Sequence, residues 1–347
     1  MSDTPSVTPS SSSPLAQAAS GNVYAATAAG RFNPAVAGDR ELVYVPESTG
    51  NTVEVIDPKT LKVIGSFFVG HEPQHVTPAW DLSKLYVDGA GTSTLTVVDP
   101  KTGKPATVIK NITDPYNLYF TPDGSKAVVV AEDHRRLDFR DPKTWKIIRS
   151  VAVPWPGVDH LDFTADGRYL LASTEYSGRV VKVDVVRMSF VSVLTVGGKP
   201  IDVRLSPDGT VLFVANQGLG GVSVVDPVAM RQLSFIPTGK GAHGLAVSRD
   251  AKAMYVSNRL AGTVSVIDTA TRKVRVTWRV GGSPDMLQVS PDGTRLWLSN
   301  RFTTTVSVID TASGRVIARI KTGSSPHGLC YFPQPGRYSV GHNGVYR

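Results

Sequence analysis

GGKPIDVRLSPDGTVLFVANQGLGGVSVVDP, residues 197–227, is a unit that this chain repeats. It contains three short apolar segments separated by Pro-Asp-Gly and Gly-rich turns, and a fourth apolar run follows before the next Gly begins the pattern again. The Asp that closes the third segment recurs at Asp57, Asp99, Asp141, Asp184, Asp226, Asp268 and Asp310, at intervals of 42 or 43 residues. A fixed period between roughly 20 and 50 residues marks a repeat architecture. Seven copies in 347 residues leave no room for a domain boundary between them.

Each copy reads as four strands. In the copy near residue 281 they are MLQVS, RLWLSN, VSVID and VIARI, with PDG, RFTTT and TASG between them. Five-residue runs rich in Val, Ile, Leu and aromatics, bounded by turn formers, are strands, and tight turns of this chemistry join antiparallel neighbours. Four-stranded antiparallel sheets at this period are propeller blades around a central channel. The count of strands also predicts how the ring closes. ELVYV, NTVEVID and KVIGSFFV supply second, third and fourth strands with no first, and HGLCYF near the C-terminus supplies a first strand with nothing after it. The expectation is an all-β, seven-bladed propeller over residues 21–333, with six whole blades and one composite blade closed by the C-terminal strand.

Composition narrows the class. With 41% hydrophobic and 19% charged residues, the chain is a turn-rich globular protein and not a disordered one, and no apolar run approaches the roughly 18–20 residues of a spanning helix. Residues 1–20 are Ser, Thr and Pro with little to bury, which predicts a disordered tail. They lack the apolar stretch of a secretory signal, so a cytoplasmic location is expected. One cysteine, Cys330, allows no internal disulfide and no Cys-based zinc site, and its apolar strand predicts an inert thiol. The charge of +8 is spread through the repeats without a basic run. That gives nucleic acid only weak support as a partner.

Strand alternation sorts the loops by face. The turns between first and second strands and between third and fourth are uniform (SPDG, DPKT), as structural turns are. The other face varies, and irregular loops on a rigid scaffold are where function is sought. Where the chain enters each innermost strand it carries His75, Asn117, His160, Asp202, His243, Asp285 and His327 in turn. The neighbouring loops add Glu132, His134, Arg135, Arg136, Glu175, Tyr176, Arg179, Arg259 and Arg301. Imidazole is the common ligand of copper, iron and zinc, so His75, His160, His243 and His327 are the candidate metal ligands. Asp202 and Asp285 are candidates for orienting a ring. Substrate contacts are expected from Arg135, Arg136, Asn117, Asp202, Glu175 and Tyr176, the arginines as clamps for an anion. The tail of residues 334–347 leaves the last strand on the opposite side unless it doubles back, so His342 is not counted among the ligands.

VYVPES, LYVDGA, LFVANQ, MYVSNR and LWLSNR, each leading to a VxVID-like strand, resemble the YVTN-repeat or YncE-like seven-bladed propellers over residues 41–332. The resemblance implies the fold. On function it implies a choice, because such propellers include metal-binding and haem-related proteins, lactonase-like enzymes, nucleic-acid binders and surface proteins. There is no GxSxG elbow, HExxH helix, P-loop or dinucleotide fingerprint, so no nucleotide cofactor is expected. The reading is a metal-binding propeller, a copper- or iron-dependent oxidoreductase with its site at the channel mouth and a small-molecule substrate. The alternatives are a scaffold that binds protein or nucleic acid on the varied face, and a lactonase-like hydrolase.

Overall fold

The computed structural model describes residues 21–347; the tail expected for residues 1–20 lies outside them. Seven four-stranded antiparallel sheets are present. Leu42–Glu47 (β1), Thr52–Asp57 (β2) and Lys62–Phe68 (β3) share a sheet with Cys330–Phe332 (β28) in the order β28-β1-β2-β3. Leu42 pairs with Phe332 and Tyr44 with Cys330, which is the composite blade that the strand count predicts. Strands β4 to β27 form six whole blades in chain order. Their innermost strands are Pro73–Pro78 (β4), Pro115–Phe120 (β8), Val158–Phe163 (β12), Pro200–Leu205 (β16), Ala242–Val247 (β20) and Pro284–Val289 (β24).

Burial follows from the order within each blade. The two middle strands are mostly buried, and some are continuously apolar, as in the AVVVA of Ala127–Ala131, while the outermost strands, such as β3, face water. Facing sheets interdigitate: Tyr119, Val130 and Phe139 of one blade pack with Leu161, Phe163 and Val181 of the next. Each large apolar side chain so buried contributes about 1.5–3 kcal/mol. The repeated Asp has a local task, because its carboxylate accepts backbone N–H groups two and three residues on. Asp141 takes Lys143 N and Thr144 N at 2.8 Å each, and these bonds fix the turn into the fourth strand.

Both flanking segments pack at the uniform-face end of the channel. Tyr24 Oη donates to Leu205 O at 2.9 Å, and Arg347 Nη2 donates to both oxygens of Asp162 at 2.8 Å. The Arg347 guanidinium lies 4.5 Å from the Tyr24 ring centroid. The tail does double back. Residue Gly341 bridges to Tyr119, and His342 N donates to Leu118 O at 2.7 Å, so the tail turns up inside the channel. Gly341 has φ +99° and lies so close to Leu118 and Tyr119 that any side chain there would strike their backbone.

Candidate metal centre

Five imidazoles meet on the channel axis. Ring centroids are 5.3 Å apart for His75 and His160, 4.9 Å for His75 and His342, and 4.7 Å for His160 and His342. His327 lies 4.7 Å from His75, and His243 lies 6.3 Å from His327. All five are buried. The four sequence-predicted ligands therefore converge, and the tail adds His342 as a fifth.

The histidines do not occupy equivalent places in their strands, and the backbone explains why they still converge. Every innermost strand from β4 to β24 carries a register shift at its start: Pro73 to Val76 in β4, Val158 to Leu161 in β12, Ala242 to Leu245 in β20. A bulge breaks the in-out alternation and re-aims side chains, as is common beside functional sites. Both the second residue of the strand (His243) and the third (His75, His160) can thus face the axis. Gly328 completes the fit at the seam. Its Cα lies against His75 and Asn343, and a methyl group there would collide with both.

The ring nitrogens fall into two groups. In the first, one nitrogen each from His75, His160 and His342 lie within 4.8 Å of one another. His75 Nδ1 donates to Asn343 Oδ1 at 2.7 Å, which leaves its Nε2 as a lone pair, and that atom is buried without a partner. His160 Nδ1 sits 2.6 Å from Asp159 Oδ1 without hydrogen-bond alignment, and its Nε2 is also unpartnered. His342 Nδ1 is 3.2 Å from Asn117 Nδ2 and its Nε2 is 3.3 Å from Asn343 Nδ2. Nitrogens bonded at about 2.0–2.1 Å to one tetrahedral ion stand about 3.4 Å apart, so small side-chain rotations would bring this group to coordination distance.

The second group is His243, Asp285 and His327. His327 Nδ1 donates to Gln74 Oε1 at 2.9 Å, and its Nε2 is unpartnered. Asp285 lies 2.9 Å from His243 Nδ1 and 3.8 Å from His327 Nε2. A cation is already resident here. The Arg259 guanidinium bonds Asp285 and His243 and reaches Gln217 Oε1 at 3.1 Å. Arg301 adds a second positive charge 3.9 Å from Asp285. Asp285 accordingly orients a ring, but for an arginine-filled group.

Charge states favour ligation. Burial, then the neighbouring His160, holds His75 down to about 3; burial, then Arg259, holds His243 at about 4. His327 and His342 are also held well below the usual range, chiefly by burial. His160 is the exception: burial opposes its charge, yet Asp159 outweighs it and raises the pKa.

The remaining sequence candidates scatter. Asn117 is buried beside His342, and Asp202 pairs with Arg204 at 3.1 Å, 3.9 Å from His342. Glu175 is half-buried at the mouth, and Tyr176 beside it is exposed. Arg135 is an exposed turn residue with φ 50°. Arg136 is paired to Asp138 at 2.9 Å on a third strand, away from the axis. Arg179 lies 5.6 Å from the Trp155 ring, and exposed His134 is 3.5 Å from Asp114. Sequence reading missed His342 because the return of the tail has no repeat to mark it. It missed Asp159 because a strand that alternates regularly would turn that residue away from His160.

A closed seven-bladed propeller with a histidine-lined channel is the class that this fold and site define. The chain belongs to the YNCE-like β-propeller family, whose profile matches residues 10–335. No curated protein matches it. Among solved structures it is similar to a functionally unknown protein from Desulfotomaculum acetoxidans (16% identity over 84% of this chain and 99% of that one, TM-score 0.71). It is also similar to the dihydro-heme d1 dehydrogenase NirN (18%, 84% and 75%, 0.65). A third is the hydrazine synthase of Kuenenia stuttgartiensis (19%, 73% and 87%, 0.63). At these identities the likeness is one of fold.

Proposed function

We propose that the channel binds one transition-metal ion, copper or iron, through His75, His160 and His342, with His327 adjacent. The observation that carries this reading is the pair of buried imidazole nitrogens without partners, Nε2 of His75 and Nε2 of His160, grouped with a nitrogen of His342. An unpartnered buried polar atom costs about 1–3 kcal/mol, and the two on His75 and His160 are a cost that a bound cation would remove. Asn343 and Gln74 fix the ring tautomers that leave Nε2 free, as outer partners do in metal sites. Three histidines leave coordination positions open, and copper or iron there would supply redox chemistry, which suits a metal-dependent oxidoreductase with a small-molecule substrate. The protein itself supplies the rest: it orients the rings and places Arg259, Arg301 and Glu175 at the open mouth.

The test is elemental analysis of untagged protein, as purified and after loading with copper, iron or zinc. About one ion per chain is expected, and His75→Ala/His160→Ala should lose it while keeping the far-ultraviolet dichroism of the wild type. No uptake of any of the three metals, or unchanged uptake by the double variant, overturns the reading.

A further inference from the structure

The residue that directly follows the second strand of each blade forms a second ring, outside the histidines. In chain order it reads Ser48, Ala90, Glu132, Glu175, Gln217, Arg259 and Arg301, spaced by 42 or 43 residues. All but buried Ser48 are half-buried, and as equivalent positions of a closed propeller they stand at one height around the mouth. Their charges are segregated. Two adjacent blades carry glutamates, two adjacent blades on the other side carry arginines, and Gln217 separates them.

Among the described residues no ion pair joins Glu132 or Glu175 to an arginine. Opposite charges around one small opening would ordinarily pair, so their separation leaves both poles open to a ligand. The acidic pole is backed by Asp159, which is 1% exposed; its Oδ1 lies 2.6 Å from His160 Nδ1 without hydrogen-bond alignment, and its Oδ2 has no partner. Burial, followed by Asp159, holds the Glu132 carboxyl up to about 9, and the same two causes hold Glu175 at about 7. Tyr116 is the aromatic ring beside the histidines. It packs edge-on against His75 and His160, with centroids 5.8 and 6.1 Å apart. On the basic side Arg259 is committed to Asp285, whereas Arg301 has only the 3.9 Å approach to Asp285 and can turn to a ligand.

We propose that the channel mouth binds a small zwitterion of amino-acid type, lying across the opening above the histidines. Its ammonium group sits among Glu132, Glu175 and Asp159 against the Tyr116 face, and its carboxylate meets Arg301. A cation beside an aromatic face and carboxylates is a recognised ammonium subsite, and arginine suits a carboxylate through its paired N–H donors. The inference stands apart from the metal reading, because both poles belong to the protein alone.

The test therefore uses metal-free protein. Calorimetric titration with glycine and 4-aminobutyrate is compared with ethylammonium and propionate, which carry one charge each. At least one zwitterion is expected to bind tenfold or more tightly than either single-charge probe. Arg301→Gln should reduce it to the ethylammonium level, and Glu132→Gln/Glu175→Gln should abolish binding of both, with thermal unfolding of each variant compared with wild type. The wild-type series decides the matter even if a variant misfolds. Absence of binding by every probe at millimolar concentration, equal binding of zwitterion and ethylammonium, or folded variants that bind as wild type would each overturn the proposal.

Discussion

Glu47→Gln is expected to stabilise this protein, and increasingly so as pH rises from 5 to 7. Three blades carry an asparagine at the end of the second strand, Asn216, Asn258 and Asn300. Asn216 shows why: it donates to Gly197 O at 2.9 Å and accepts from Lys199 N at 3.0 Å, tying the strand to the loop between blades. In the composite blade the equivalent residue is Glu47, fully buried against Gly323, with neither carboxyl oxygen hydrogen-bonded. Burial, and then Glu54, raises its pKa from 4.5 to about 8. Because the folded-state pKa lies above the unfolded one, folding takes up a proton between those values. Below pH 4.5 the group is neutral in both states and has no effect. Through the window up to about 8 it removes stability by about 1.4 kcal/mol per pH unit. At pH 7 the loss is on the order of 3 kcal/mol, and at pH 5 it is about 1 kcal/mol. Glutamine is neutral throughout and supplies the amide that the other blades use. Urea unfolding of wild type and Glu47→Gln at pH 5, 6 and 7 measures the difference. A gap that does not widen with pH, or a less stable variant at pH 7, refutes the reasoning.

Removal of the Arg347 side chain leaves Asp162 a buried, unpaired carboxylate, so Arg347→Ala should cost about 3–5 kcal/mol in chemical unfolding. Gly328→Ala places a methyl group against His75 and Asn343; if the proposed metal site exists, metal uptake should drop at least tenfold in a chain that still folds, measured by elemental analysis. Removing residues 327–347 takes away β28 and the channel tail together, and loss of the cooperative thermal transition is expected. Metal affinity of the proposed site should fall as pH drops because His160, whose pKa Asp159 raises, takes a proton, while His75, held down to about 3, stays neutral; titration with a competing chelator at a series of pH values checks it.

The fold was legible in the sequence because the repeat marks it seven times over. The Asp at the head of the third turn and the Pro-Asp-Gly of the first are local chemistry, repeated in register, and the missing first strand before Leu42 pointed to closure by HGLCYF. The convergence of His75, His160, His243 and His327 was legible from the face on which their loops emerge. What could not be read was how neighbours on a strand would point, because the bulges that turn both Asp159 and His160 toward the axis leave no distinct residue signature. The path of the tail was hidden for a related reason. His342 reaches the axis through the contacts of Gly341 with Tyr119 and of Arg347 with Asp162, which are long-range and occur once. Arg259, one of the loop residues of the varied face, is held by Asp285, a carboxylate 26 residues away that the repeat does not pair with it.

The composite blade also sets a schedule for synthesis. β1 to β3 leave the ribosome early, but the strand that pairs with the inner edge of β1 is made only after all six whole blades. At roughly 5–20 residues per second, that interval is on the order of tens of seconds. Throughout it Leu42 and Tyr44 lie on an open strand edge of the kind that recruits other chains. The nascent chain is therefore expected to be most prone to aggregation late in translation, when six blades are folded and the ring is still open.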